Sequence, residues 1–275
     1  MVAVLIVHYI NGFKNVGNKI VVEKQAGKAN TYEDFNEIKN GNEVQKVKDI
    51  LENVKWEKSD ESMKHPCDYK FHFDYLYEEH KSSGLVYELW ISPNKDKVEL
   101  VMEDKRRYIQ LNKEKSEELF RIIAGKKLSE ANILLPDSKP KDFNFIFNFG
   151  VGAKNQLDTV KGQYTRDMIS EPSITAELKL TEEEMNSIYS KMKKLDILNY
   201  PDKFTPKSRM CATPFDTYSM KIIINGKEKN IYWEDENVSK TKGAVQLRDL
   251  FTEIYKIIMD KEEFKKLPKP KGGYM

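Results

Sequence analysis

Apolar and polar residues alternate with period two along much of the chain, the pattern of strands with one buried face. The clearest case is Tyr69, Phe71, Phe73, Tyr75 and Tyr77, which share one face while Lys70, His72 and Asp74 take the other. Leu85, Tyr87, Leu89 and Ile91 repeat the alternation up to the turn Pro93–Asp96, and Val98, Leu100 and Met102 return, followed by Tyr108–Leu111. Before these, Ile20, Val21 and Val22 make a short strand, and Gln25–Gly41 reads as a polar connection. Asn42 is placed to cap a helix, with Gln45 at the capping-box position and Val44, Val47, Leu51 and Val54 on one face. Trp56 follows as a core plug. A second helix, from about Lys113 to Ala124, buries Leu119, Phe120 and Ile123 and ends at Gly125, a residue suited to the left-handed C′ position.

Beyond the proline-containing stretch Leu134–Asp142 the alternation resumes. Phe143, Phe145, Phe147 and Phe149 define a strand, a Gly150–Gly152 bend leads to one further strand within 158–167, and Ile174, Ala176, Leu178 and Leu180 define the next. Thr181 and Glu184 then form a capping box for a helix striped by Met185, Ile188, Tyr189, Met192 and Leu195. After the irregular connection Pro201–Pro214, Tyr218–Ile224 and Ile231–Trp233 flank Asn225-Gly226, the strongest short-range hairpin signal, because both residues tolerate positive φ. A final helix, about Ala244–Met259, carries Leu247, Leu250, Phe251, Ile254, Ile257 and Ile258, and the tail LPKPKGGYM cannot continue it. The pattern predicts an α+β fold of two domains, each a mainly antiparallel sheet with helices on one face. The expected division is an apolar segment 1–18, domains at 19–133 and 142–275, and a linker at 134–141.

Composition narrows the function. Residues 1–140 hold 23 Lys+Arg and 24 Asp+Glu, and residues 141–275 hold 23 and 20, so neither half has the basic excess of a nucleic-acid binder. Only six of the 46 basic residues are Arg. No nucleic-acid partner is expected. Cys67 and Cys211 fall in different domains and form no disulfide framework, so two free or buried thiols are expected rather than a bridge. The run Val2–Ile10 is too short to span a bilayer and lacks a basic n-region and a cleavage site. Either it is a buried strand, or it is the remnant of a membrane-targeting segment that begins upstream.

Candidate chemistry is sparse. His65, Cys67, His72 and His80 are metal-ligand types, but their spacing is poor and His72 shares a strand face with Lys70 and Asp74. A Cys67–His65 nucleophile pair lacks a third orienting group. Gly150-Val151-Gly152 lacks the third glycine and the helix of a dinucleotide site. Glu182, Glu183 and Glu184 are accounted for by capping and the helix dipole. The aromatic ladder is core rather than a stacking platform. There is no G-x-S-x-G elbow, H-E-x-x-H motif or Walker loop. No catalytic residue, cofactor site or metal site is assigned.

Two resemblances accompany these residues. ILENVKW, DYKFHF, YELWISPNKDKVEL and RRYIQL, within about 19–125, resemble the YhfM-like domain of Bacillus lipoproteins. LDTVKGQYTRDM, LKLTEEEMNSIYSKM, LNYPDKF, INGKEKNIYW and KEEFKKLPKPKGGY, within about 142–275, resemble an uncharacterised domain of spore-forming bacilli. The first resemblance implies a lipoprotein signal and acylated cysteine, from which this chain departs. The element order of the second half is also similar to that of small inhibitors of thermolysin-like metalloproteases, the emfourin type. The expectation is a non-catalytic, extracytoplasmic binding or structural protein of the cell envelope. Its partner would be an unknown protein or envelope component, with membrane contact through the N-terminal segment. A cytoplasmic protein is expected instead if Met1 is the true start and the segment is a core strand. The alternative function is a protease inhibitor acting through loops of the second domain, either Gly150–Asn155 or Pro201–Pro214.

Overall fold

Alternating burial along successive strands builds one antiparallel sheet in each half of the molecule, and helices cover the apolar face of each. The computed structural model describes residues 17–26, 30–58, 63, 65–74, 85–102, 106–207, 213–236 and 238–274. Two compact units run over residues 1–131 and 132–275. The α+β, two-domain architecture read from the hydrophobic pattern is the one observed. The run Val2–Ile10, Tyr75, Tyr77, His80 and Cys211 lie outside the described residues. No helix among the described residues is long and apolar enough to cross a membrane.

In the first unit the elements are β1 (Lys19–Gln25), β2 (Tyr32–Ile38), α1 (Gly41–Glu52), β3 (Glu57–Lys58), β4 (Tyr69–Asp74), β5 (Tyr87–Ile91), β6 (Val98–Met102), β7 (Arg107–Gln110) and α2 (Lys113–Ala124). The sheet order is β2-β1-β4-β5-β6-β7-β3. Tyr69, Phe71 and Phe73 are buried against Tyr87, Leu89 and the apolar stripes of α1 and α2, with the Phe71 and Tyr87 rings stacked at 5.1 Å. The aromatic ladder is therefore core. Two assignments change. The polar connection Gln25–Gly41 contains β2, an edge strand whose sequence YEDFNEI has too few apolar positions to show a period. Its buried Glu37 is paired with Lys19 at 3.3 Å and Lys39 at 3.1 Å, which offsets the cost of burying a carboxylate. The N-cap of α1 is Asn40, not Asn42: its side chain accepts from the Asn42 and Glu43 amides, while Gln45 donates to Asp49 one turn on. Gly125 ends α2 at φ 66°, as expected.

The second unit comprises β8 (Asn144–Phe149), β9 (Asn155–Asp158), β10 (Gln163–Arg166), β11 (Ile174–Glu177), α3 (Glu182–Lys194), β12 (Thr217–Ile224), β13 (Lys227–Glu234), α4 (Lys242–Asp260) and α5 (Glu262–Lys265). Its sheet runs β11-β10-β9-β8-β12-β13. The phenylalanines of β8 and the preceding Phe143 lie under Met185, Ile188, Tyr189 and Met192 of α3 and Leu247, Phe251 and Ile254 of α4. Phe147 sits 4.8 Å from the Phe251 ring.

The single strand expected within 158–167 is a hairpin of β9 and β10. The Asp158 carboxylate accepts from the Val160 and Lys161 amides at 3.0 Å each, and Gly162 at φ 65° completes the turn. Segment 134–141, expected to be a linker, contributes to the second core instead. Leu135 is buried there, and the Tyr189 hydroxyl donates to the Pro136 carbonyl at 2.7 Å. The Thr181–Glu184 capping box forms as read, at 2.7 and 3.2 Å. So does the two-residue turn, with Asn225 at φ 50° and Gly226 at φ 68°.

Candidate functional site

The chemistry-bearing residues of the second unit converge at one corner of its sheet, where the bend after β8, the end of β10 and the C-terminal tail meet. The bend is held by local geometry: Gly150, Gly152 and Ala153 all have positive φ, and the Gly150 carbonyl accepts from the Ala153 amide at 2.9 Å and the Thr217 amide at 3.0 Å. Glycine is required at 150, since a Cβ there would lie 2.8 Å from Asn155 Nδ2. Asn155 then ties the bend to β10. Its amide donates to the Phe149 carbonyl at 3.3 Å, and its Oδ1 accepts from the Tyr164 hydroxyl at 3.3 Å and the Asp167 amide at 3.0 Å.

Arg166, the last residue of β10, is 7% exposed. Its guanidinium donates to the carbonyls of Leu267 and Pro268 at 3.0 Å each and of Phe264 at 3.2 Å, and it stacks 3.9 Å from the Phe264 ring centroid. Asp167, equally buried, accepts from the Ile169 amide at 3.0 Å and from the Tyr274 hydroxyl. The Lys154 ammonium lies 5.0 Å from the Tyr274 ring. Ile169 has φ 63°, a strained conformation for a β-branched residue, and it pairs in parallel with Lys271 of the tail.

Burial pushes the Tyr164 hydroxyl up to about 12, with Arg166 partly opposing the shift. The hydrogen bond to Asp167 raises Tyr274, and Tyr274 in turn raises Lys154. Arg166, Asp167, Tyr164 and Tyr274 are each engaged with another group of the corner. Such an arrangement holds backbone carbonyls and a phenol in place.

Sequence reasoning singled out the Gly150–Asn155 bend but gave the tail no site, using it only as a helix stop and as part of a family resemblance. One signal was present: Arg166 is one of six arginines in a lysine-rich chain, and Arg is the residue whose planar fork suits several fixed acceptors. The other loop named from sequence, Pro201–Pro214, is described up to Lys207 and from Thr213. Its Phe204 is buried, and its backbone pairs with Tyr232 of β13 through Phe204 N at 2.8 Å.

Residues 14–129 match the family model described as YhfM protein. The match spans the strands and both helices of the first unit. Comparisons with curated proteins and with solved structures give no match.

In the YhfM-like unit the described residues weighed as metal or nucleophile candidates, His65, Cys67 and His72, have structural surroundings. The Cys67 thiol donates to the Tyr32 hydroxyl at 3.0 Å, and that hydroxyl donates to the Cys67 carbonyl at 3.1 Å. Burial pushes the thiol up to about 11, the opposite of thiolate activation. The His65 carbonyl accepts from the Trp90 indole at 2.9 Å, and His72 sits opposite Val21 of β1. Among the described residues no group of three or more His, Cys, Asp or Glu is placed to hold a metal ion. In the second unit Glu184 serves the Thr181 cap and pairs with Lys261 at 2.6 Å, while Glu182 pairs with Lys139 at 2.9 Å.

Proposed function

We propose that this chain is a non-catalytic, extracytoplasmic protein of the bacterial envelope that binds a protein partner through the corner of its second unit. The observation carrying this reading is Arg166: a buried guanidinium that addresses the backbone carbonyls of Phe264 at the end of α5 and of Leu267 and Pro268 just beyond it is peptide-reading chemistry. The elevated thiol of Cys67 and the elevated hydroxyl of Tyr164 support binding over nucleophilic or acid–base catalysis. The interleaved charges favour a protein over a nucleic acid, and the apolar run Val2–Ile10 is the segment we assign to membrane contact. The resemblance of the second unit to an uncharacterised domain of spore-forming bacilli belongs with this reading.

A photoreactive residue in place of exposed Lys154 tests it in intact cells. The expected result is one discrete cross-linked protein in the envelope fraction. A hydrolase activity abolished by replacing one polar residue, or a chain found wholly in the cytosol, overturns the proposal. A second reading, protease inhibition, is favoured by the preorganisation of the 150–155 bend, since a rigid loop loses little entropy on entering an enzyme cleft. Ordinary cleavage of the chain by a thermolysin-like metalloprotease, without inhibition, removes that reading.

A further inference from the structure

We infer that the groove between Arg166 and Ser170 is a recognition site for an extended, proline-containing peptide segment of another protein that carries a phenol. The chain's own residues 267–274 fill it as a displaceable strap. The inference rests on the binding function proposed above and names the class of partner.

The seated strap defines the ligand chemistry. Arg166 reaches the Leu267 and Pro268 carbonyls, the Ser170 amide donates to the Lys271 carbonyl at 3.3 Å, and the Lys271 amide reaches back toward the Met168 carbonyl at 3.4 Å. These contacts read backbone, so they accept many sequences in an extended conformation. Two positions add selectivity. Asp167 accepts a phenolic hydroxyl, and Gly272, at φ 93°, lies where a Cβ would sit 2.5 Å from Ser170 Oγ.

The strap is separable from the core. Residues 268–273 are exposed, and of its residues Leu267 alone packs, half-buried, against the apolar cluster. Phe264, on α5, keeps its carbonyl bond and ring contact with Arg166 when residues 267–274 leave, so the guanidinium stays aimed at an incoming peptide. The strained Ile169 lies where the strap pairs, as expected of a clamp.

The test uses the full chain and a fluorescent peptide KLPKPKGGY. Gly272→Val is chosen to dislodge the strap, because a Cβ there would meet Ser170 Oγ of the groove at 2.5 Å. A tethered strap acts at an effective concentration of about 1 mM, so against a peptide of about 10 µM intrinsic affinity it weakens apparent binding about 100-fold. Fluorescence anisotropy should therefore show Gly272→Val binding the peptide at least about tenfold more tightly than the wild type, and Arg166→Lys added to it should abolish binding. Tyr274→Phe, which removes one hydroxyl, should give a smaller gain.

Absence of binding by both strap variants, or binding that survives Arg166→Lys, overturns the inference. Unfolding of the second unit by Gly272→Val, with no gain in Tyr274→Phe, makes the strap an integral part of the fold and also overturns it. Self-association of the wild type with the peptide excluded overturns it in favour of strap exchange between two copies. If the peptide fails to bind while the cross-link from position 154 persists, this inference alone falls; loss of the cross-link removes the binding function itself.

Discussion

Gly226→Val isolates a backbone conformation from every packing effect. Gly226 has φ 68° and Asn225 φ 50°, and a Cβ added at 226 meets nothing within 4 Å. The cost is therefore conformational: an L-residue in the left-handed region is disfavoured by roughly 1–2 kcal/mol, and a β-branched one lies toward the upper part of the about 1–3 kcal/mol range for strained sites. The turn cannot relax by slipping. Eight rungs from Ile224–Lys227 to Thr217–Glu234 depend on its register, and a one-residue shift would turn Met220, Ile222 and Ile224 away from α3 and α4. With a urea m-value of about 2 kcal/mol/M, the second unit's midpoint should fall by roughly 0.5–1.5 M. Urea melts of the full chain can assign the transitions by tryptophan, since Trp233 reports the second unit and Trp56 and Trp90 the first. An internal control moves the other way: Gly41→Ala at the first residue of α1, with open space around it, should stabilise the first unit by about 0.4–1 kcal/mol. An unchanged second midpoint in Gly226→Val would refute the turn geometry. Equal shifts of both transitions would refute the independence of the two cores.

Three further outcomes are expected. Asp142 is held below the usual carboxylate range by the backbone amides of Gly226 and Asn225. Its folded pKa lies below the unfolded value of about 4, so its contribution is complete above that value and is lost as pH falls through the folded one. The stability difference between wild type and Asp142→Asn should therefore be present at neutral pH and disappear in strong acid; a difference constant with pH would contradict this. Cys67, its thiol raised to about 11 by burial, should react slowly with iodoacetamide at neutral pH until denaturant is added, and rapid alkylation of Cys67 in the native chain, located by peptide mapping, would count against its burial. Thr181→Ala removes the cap of α3 and should cost the second unit about 1 kcal/mol in a denaturant melt, whereas Thr181→Ser should retain most of it.

The features legible from sequence alone are those whose physics closes within a few residues. The alternation of Tyr69–Phe73 and Phe143–Phe149 determines which face of a strand is buried, because successive side chains point to opposite faces whatever the partner strand. Thr181–Glu184 and Asn225-Gly226 likewise specify a cap and a turn by local hydrogen bonding and φ preference. Tertiary structure decided the rest. β2 has almost no apolar period and exists because β1 supplies its ladder and Lys19 and Lys39 neutralise Glu37. Leu135 joins a core whose other members lie in later elements. Above all, the Arg166 corner depends on carbonyls about a hundred residues away, and a backbone carbonyl carries no mark in the amino-acid sequence. Only the folded chain brings the guanidinium within 3.2 Å of each of those acceptors.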